Sequence, residues 1–330
     1  DIMRISQKST TLSRWLFATG VLGALATIAL SKQISVYIFG SDENSFNVAL
    51  LSIAILVTSI SSGQIALLQG KRMIKKMALA NVFGAIMGLV LVIPVFYFFG
   101  LRGIVLALIL ISISSLIISW LYVRRIKIPS FKMSIVKTYK EGISMVKLGL
   151  FTVITGLILT CTLFFVKTYL ARISNIDSVG IYLAAYSISA IYLGTVLSSM
   201  GADFFPRLCA VATDDEKVNS LINIQTSQAL VIGTPLVISM ILFAPLIVGL
   251  FYSAEFINSV IVLRWMMLGS FMRFMAWPIA FYLLAKNKGL LYLISESTMM
   301  ILYYTIVVFG YKHFGLKITG IALLVQYLYY

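Results

Sequence analysis

Acidic residues are scarce in this chain: Asp and Glu together number 11 in 330 residues. Histidine occurs once, at His313, and cysteine twice, at Cys161 and Cys209. No Ser/His/Asp or Cys/His set is built around that single histidine, and no CxxC or HExxH metal pattern is present. No Walker A motif is present either, so no ATP engine lies in these residues. Two cysteines support no disulfide framework, and both are expected to be free thiols. Charged residues of both signs make up only 11%, against about 25% in an ordinary soluble protein. That is too little polar surface to cover a water-soluble body. A soluble enzyme, a disordered chain and a disulfide scaffold are excluded.

Apolar residues are what the chain has. They make up 60% of it, and the mean hydropathy is +1.01. Ten apolar runs stand out: 12–38, 46–68, 77–99, 102–123, 148–170, 178–201, 228–251, 257–284, 290–310 and 316–330. Most approach or exceed the roughly 20 residues that cross about 30 Å of hydrocarbon as a helix. The runs are continuous rather than alternating, which argues for helices and against a barrel. The expected fold is an all-α polytopic membrane protein.

The basic residues give its orientation. The net charge is +15, but Lys and Arg fall between the apolar runs rather than on one polar face. Nucleic acid is therefore not expected as a partner. Eighteen lie in one set of loops, including Lys71, Arg72, Lys75, Lys76 and the cluster from Arg124 to Lys147. Six lie in the opposite set. The rule that positive loops stay inside makes the first set cytoplasmic.

The two halves also resemble each other. VYIFGS at 36–41 matches VGLFYS at 248–253. LLQGKR at 67–72 matches LLAKNK at 283–288, and FFGLRGI at 98–104 matches HFGLKITGI at 313–321. Three ordered matches at offsets near 212–216 indicate a duplication. A repeat of that length holds six spans, so both copies point the same way across the bilayer. The expected organisation is residues 1–123 as four helices of an N-terminal lobe, 124–147 as a basic cytoplasmic linker, and 148–330 as a C-terminal lobe with a truncated last helix. The repeat register implies that about 70 residues, enough for two helices, precede Asp1.

Charges inside the spans are the candidate functional residues, because a charge at mid-bilayer costs about 2.5–3.5 kcal/mol on the insertion scale. Arg273, in LGSFMRFMAWPIAF, is deepest and is the first candidate for a cavity cation that meets an anionic substrate. Lys167 and Arg264 are further candidates, each with interfacial snorkelling as the competing explanation. Nine residues separate Arg264 from Arg273, which puts them on opposite faces of a straight helix. Glu296, in LYLISESTMM, is the one acid well inside a span. It is a candidate partner for Arg273 or a proton or sodium site for ion coupling. Asp203 and Arg207, in GADFFPRL, are a local ion pair or a cytoplasmic gate. Pro94, Pro235, Pro245 and Pro278 fall inside spans as kinks or hinges. Gly84 and Gly88 permit close helix packing, other aromatics read as packing or lipid contact, and Tyr327, Tyr329 and Tyr330 suit a membrane interface.

Four segments, ALLQGKRMIKKMALANVFG (66–84), FFGLRGI (98–104), YLARISNIDSVGIYLAAYSISAIY (169–192) and GADFFPRLCA (201–210), carry a resemblance. They resemble the Wzx-type O-antigen flippases of the multidrug/oligosaccharidyl-lipid/polysaccharide exporter superfamily. The resemblance implies two six-helix lobes and no cofactor. It implies movement of an undecaprenyl-pyrophosphate-linked oligosaccharide from the cytoplasmic to the outer leaflet of the bacterial inner membrane, by alternating access coupled to an ion gradient. Polysaccharide polymerase and chain-length proteins are the partners it implies. A multidrug antiporter of the same superfamily and a non-transporting scaffold for polysaccharide assembly are the alternatives.

Overall fold

The computed structural model describes residues 2–126 and 134–329. Asp1, Lys127, Pro129, Lys132 and Tyr330 lie outside the described residues. Among those described there is no strand.

Eleven α-helices follow in order: α1 (Ile2–Phe39), α2 (Ser45–Gly70), α3 (Ile74–Phe99), α4 (Ile104–Val123), α5 (Ile135–Ile173), α6 (Ile176–Ala210), α7 (Asp215–Leu242), α8 (Ala244–Phe251), α9 (Ser259–Ala285), α10 (Gly289–Phe314) and α11 (Ile318–Tyr329). Among the described residues eight stretches are long and apolar enough to cross a membrane. Two of these, Ile74–Val123 and Gly289–Tyr329, each hold a pair of helices. In each pair the chain turns at a glycine in the left-handed region, Gly100 (φ 52°) or Gly315 (φ 59°), where a Cβ would be strained. The paired helices then pack along each other, α3 on α4 and α10 on α11. All ten apolar runs of the sequence thus reappear as helical segments of a multi-pass membrane protein. Large apolar side chains such as Leu22, Val90 and Ile301 are 61–65% exposed, as a surface solvated by lipid tails requires.

Several boundaries differ from expectation, and α1 and α6 both run past their apolar stretches, to Ile2 and Ala210. Run 228–251 is two helices, because Pro245 lies in the first turn of α8 and cannot continue the α7 hydrogen-bond ladder. α7 starts at Asp215 rather than 228. Asp214 caps it, accepting the Lys217 N–H at 3.1 Å, with Asp215 and Glu216 in the first turn. α5 starts at Ile135, inside the expected linker. Hydropathy marks the part of a helix that lies in lipid, not the part that emerges from it.

The chain divides into two compact units, Asp1–Met145 and Val146–Tyr330. In the first, α2 packs on α1 and α4, and α4 on α3. Lipid tails are as apolar as leucine, so close approach of backbones replaces the hydrophobic drive. A Cβ on Gly84 would lie 3.4 Å from the Ser115 Cα, and one on Gly88 3.6 Å from the Ile111 Cα, so this pair serves the α3–α4 contact. In the second unit α9 is the hub, packing on α6, α7, α10 and α11. Val262, Leu263, Met266, Met267 and Phe274 of α9 are fully buried.

Backbone geometry fixes the register of the repeat. After α2, Arg72 takes φ 57°; after α9, Asn287 takes φ 58°. The N–H groups of Lys71, Arg72 and Met73 bond to the carbonyls of Leu67, Gln69 and Leu68. Those of Lys286, Asn287 and Lys288 bond to Tyr282, Leu284 and Leu283, each 215 residues on. Gly100 and Gly315 differ by the same 215. The sequence matches at 212 and 216 are therefore shifted by three residues and one residue.

Candidate functional site: a mid-span cation in a small cavity

The second unit holds a cavity of about 230 Å³. α9 supplies Arg273, Ala276, Trp277, Ala280, Phe281 and Leu284, a stripe at helical spacing along one face. α10 supplies Tyr292 and Glu296, one turn apart, and α11 supplies Tyr327.

Two glycines bring these helices together. A Cβ on Gly269 would lie 2.7 Å from the Leu324 N, and one on Gly320 2.8 Å from the Val262 O. Both contacts are to backbone, so α9 and α11 touch main chain to main chain. Arg273 lies one turn beyond Gly269, and Tyr327 two turns beyond Gly320. The crossing therefore sets the guanidinium over the Tyr327 ring, with Cζ 5.9 Å from its centroid. A cation over an aromatic face is attracted by the ring quadrupole, by about 0.5–1 kcal/mol where water still reaches it.

Arg273 and Glu296 are both half-buried and share this cavity. Among the described residues no carboxylate lies within 4.0 Å of the Arg273 guanidinium nitrogens. The two charges face each other across space for solute or water rather than forming a closed pair. At about 30 Å³ per water, the cavity holds several waters or one phosphate group. At the positions 215 residues earlier stand Thr58, Asn81 and Ser112, all uncharged. Thr58 donates to Ser112 at 3.2 Å, the first unit's counterpart of the Arg273–Tyr327 contact. The Arg273–Glu296–Tyr327 set therefore has no charged counterpart at the equivalent positions of the first unit.

Arg264 is elsewhere. It is exposed, and its Nε donates to the carbonyl of Ile241 at 3.1 Å. That carbonyl would normally accept from the N–H four residues on, and residue 245 is proline. Arg264 thus takes the place of the donor that Pro245 lacks. The half-turn expected between Arg264 and Arg273 is what separates the two roles. Arg264→Ala should cost about 1 kcal/mol of stability through the lost hydrogen bond and leave transport unchanged. In a Pro245→Ala background the helix supplies its own donor, so the cost should shrink. A double-mutant cycle by thermal denaturation tests this; equal costs in both backgrounds would refute the capping role.

Lys167, on α5, is half-buried and does not line the Arg273 cavity. Asp203 and Arg207 form an ion pair at 3.3 Å, one turn apart near the end of α6. Between them Phe204 is fully buried, with ring centroids 5.7 Å from Trp277 and 6.1 Å from Phe281. Those two aromatics also line the cavity, so its wall is continuous with the packing at the end of α6. Cys161 and Cys209 are exposed free thiols. Among the described residues no group of His, Cys, Asp and Glu is arranged to hold a metal ion.

Sequence reasoning missed Tyr292, Trp277 and Phe281, which it read as packing, and placed Tyr327 at a membrane interface. Tyr327 is instead half-buried against Arg273. The available signal was spacing: Tyr292 is one turn from Glu296, and Trp277 one turn from Arg273.

A model of the family described as polysaccharide biosynthesis protein matches residues 4–261. Comparison with curated proteins gives no match. Among solved structures, the chain is similar to a MOP superfamily transporter from Pyrococcus furiosus, described as having a binding pocket of reversed polarity that suggests a different function. The identity is 16% over 99% of this chain and 79% of that one, with a TM-score of 0.81. An outward-facing multidrug resistance MATE family transporter of the MOP superfamily is 17% identical over 99% and 80%, with a TM-score of 0.82. A MATE protein in complex with MaD5 is 18% identical over 99% and 78%, with a TM-score of 0.80. The chain belongs to the polysaccharide biosynthesis protein family, and its fold is that of the MOP superfamily transporters.

Proposed function

We propose that the protein is a flippase that moves an undecaprenyl-pyrophosphate-linked oligosaccharide from the cytoplasmic to the outer leaflet of the bacterial inner membrane by alternating access. One observation carries the reading: a half-buried arginine in the middle of a membrane-spanning helix, facing a cavity, with no described carboxylate in ion-pair range. A charge there without an ion-pair partner is costly, and an anionic group of a substrate is what would compensate it. A pyrophosphate and a glycan cannot enter hydrocarbon unaided. A guanidinium presents a planar fork that fits phosphate oxygens. The polyprenyl tail stays in lipid.

In this reading Arg273 is the counter-charge for the pyrophosphate and Tyr327 fixes its orientation. Lys167 and Arg264 are not needed for that step. Glu296 is the ion-coupling group: protonation or a bound sodium would alter the field at Arg273 and with it the affinity for the anion. Asp203 and Arg207, with Phe204, Trp277 and Phe281 between them and the cavity, form the cytoplasmic gate. Polysaccharide polymerase and chain-length proteins act on the product beyond the membrane.

Glu296 also favours a second reading, an antiporter of organic cations. Arg273 in the same small cavity opposes it by like-charge repulsion. The test is a strain lacking the gene. On the flippase reading, undecaprenyl-linked glycan accumulates on the cytoplasmic leaflet and surface polysaccharide is lost, while resistance to cationic drugs is unchanged. Intact surface polysaccharide with lost drug resistance would replace the flippase by the antiporter.

A further inference from the structure

The first unit holds a larger cavity, about 680 Å³, at the turn between α2 and α3. Lys8, Lys71 and Arg72 line it, with an apolar wall that includes Leu12, Leu67 and Met145. A turn that joins two membrane-spanning helices lies at the level of the lipid headgroups. Three cations above an apolar wall at that level have the polarity profile of a phospholipid: phosphate outward, acyl chain inward.

The same turn recurs at Lys286 and Asn287, with the same hydrogen bonds 215 residues on. There the lysine is neutralised: Lys286 Nζ donates to Asp215 at 2.7 Å. Asp215 holds the Lys286 ammonium above its usual pKa. In the first unit Lys71 has no carboxylate within 4.0 Å among the described residues, and Lys8 shares Glu141 at 3.6 Å. The left-handed position differs too. The second unit uses asparagine, which tolerates positive φ, and the first uses arginine, which does not. Arg72 thus stands where the second unit has the uncharged Asn287, and it lines the cavity beside Lys71.

We propose that this cavity is a binding site for the phosphate headgroup of an anionic phospholipid. The site stands apart from the transport reading, since a protein that moved no glycan would hold the same lipid.

The test uses the purified full chain and native mass spectrometry. Phosphatidylglycerol adducts should survive detergent stripping, and phosphatidylcholine adducts should not. A Lys8→Gln, Lys71→Gln, Arg72→Asn variant should lose at least five-fold in phosphatidylglycerol retention; asparagine suits that backbone. Lys286→Gln should lose nothing. Gly70→Leu keeps every cation but puts a side chain into the cavity that Gly70 lines, where its Cβ meets no neighbouring helix within 4 Å, and it should reduce retention as well. Inorganic pyrophosphate is the third probe. If pyrophosphate binds and phosphatidylglycerol does not, the lipid assignment is overturned in favour of a soluble anion. Unchanged lipid retention in both Gly70→Leu and the charge variant, each folded by circular dichroism, would overturn the site itself.

Discussion

Arg273→Ala is expected to slow glycan movement sharply while the protein reaches the membrane in normal amounts. A hydrogen bond to a charged group contributes about 1.5–3 kcal/mol, so the loss should be roughly 10- to 100-fold in transport rate. Arg273→Lys keeps the charge but not the planar fork, and should recover only part of it. Stability should not fall, because the alanine variant removes a costly mid-membrane charge. Transport assayed at matched membrane abundance, together with a melting temperature, checks both halves. A variant that fails to transport because it fails to accumulate would assign Arg273 a structural role instead.

Gly320→Leu is expected to have the largest effect on folding. A Cβ at Gly320 would meet the Val262 carbonyl at 2.8 Å and the Met266 N at 3.0 Å; at Gly269 it would meet Leu324 N at 2.7 Å. Backbone cannot give way as a side chain can. Overpacking of this kind costs about 1–3 kcal/mol for added methylenes and more when helices must separate. Gly320→Ala should therefore lower the melting temperature and weaken transport, because moving α11 carries Tyr327 away from Arg273. Gly320→Leu should prevent accumulation. Gly249→Ala is the control: nothing lies within 4 Å of its added Cβ, and alanine is the better helix former. Equal melting temperatures for Gly320→Ala and Gly249→Ala would contradict the close crossing of α9 and α11.

These two positions also show where sequence reading stops. The ten spans were legible because a helix in lipid must be apolar along its length. Arg273 was legible for the same reason, as an exception inside such a run. Gly320 and Gly269 were not, since many span glycines face open space and nothing in the chain marks these two. Tyr327 was misplaced accordingly, because its position depends on that crossing and not on its neighbours in sequence. The break at Pro245 was hidden in a continuous apolar run, and its repair comes from Arg264, on another helix. The start of α7 is marked in the chain by Asp214 followed by Asp215 and Glu216, a capping signal that lies outside the apolar run because this end of the helix is polar. The repeat was found through gapped matches, whereas its register of 215 rests on backbone torsions that the sequence does not display.

On the proposed flippase reading, the charged cavity of the second unit carries a pyrophosphate-linked glycan across the bilayer. The most direct measurement uses purified protein in liposomes that contain fluorescent undecaprenyl-pyrophosphate-linked oligosaccharide. An impermeant quencher reports how much of the lipid has reached the outer leaflet. The account predicts that half the protected fluorescence becomes accessible with wild-type protein, and that the rate falls at least ten-fold with Arg273→Ala. It also predicts that an undecaprenyl-linked glycan lacking the pyrophosphate is not moved. Equal rates for wild type and Arg273→Ala, or for substrates with and without the pyrophosphate, would contradict it.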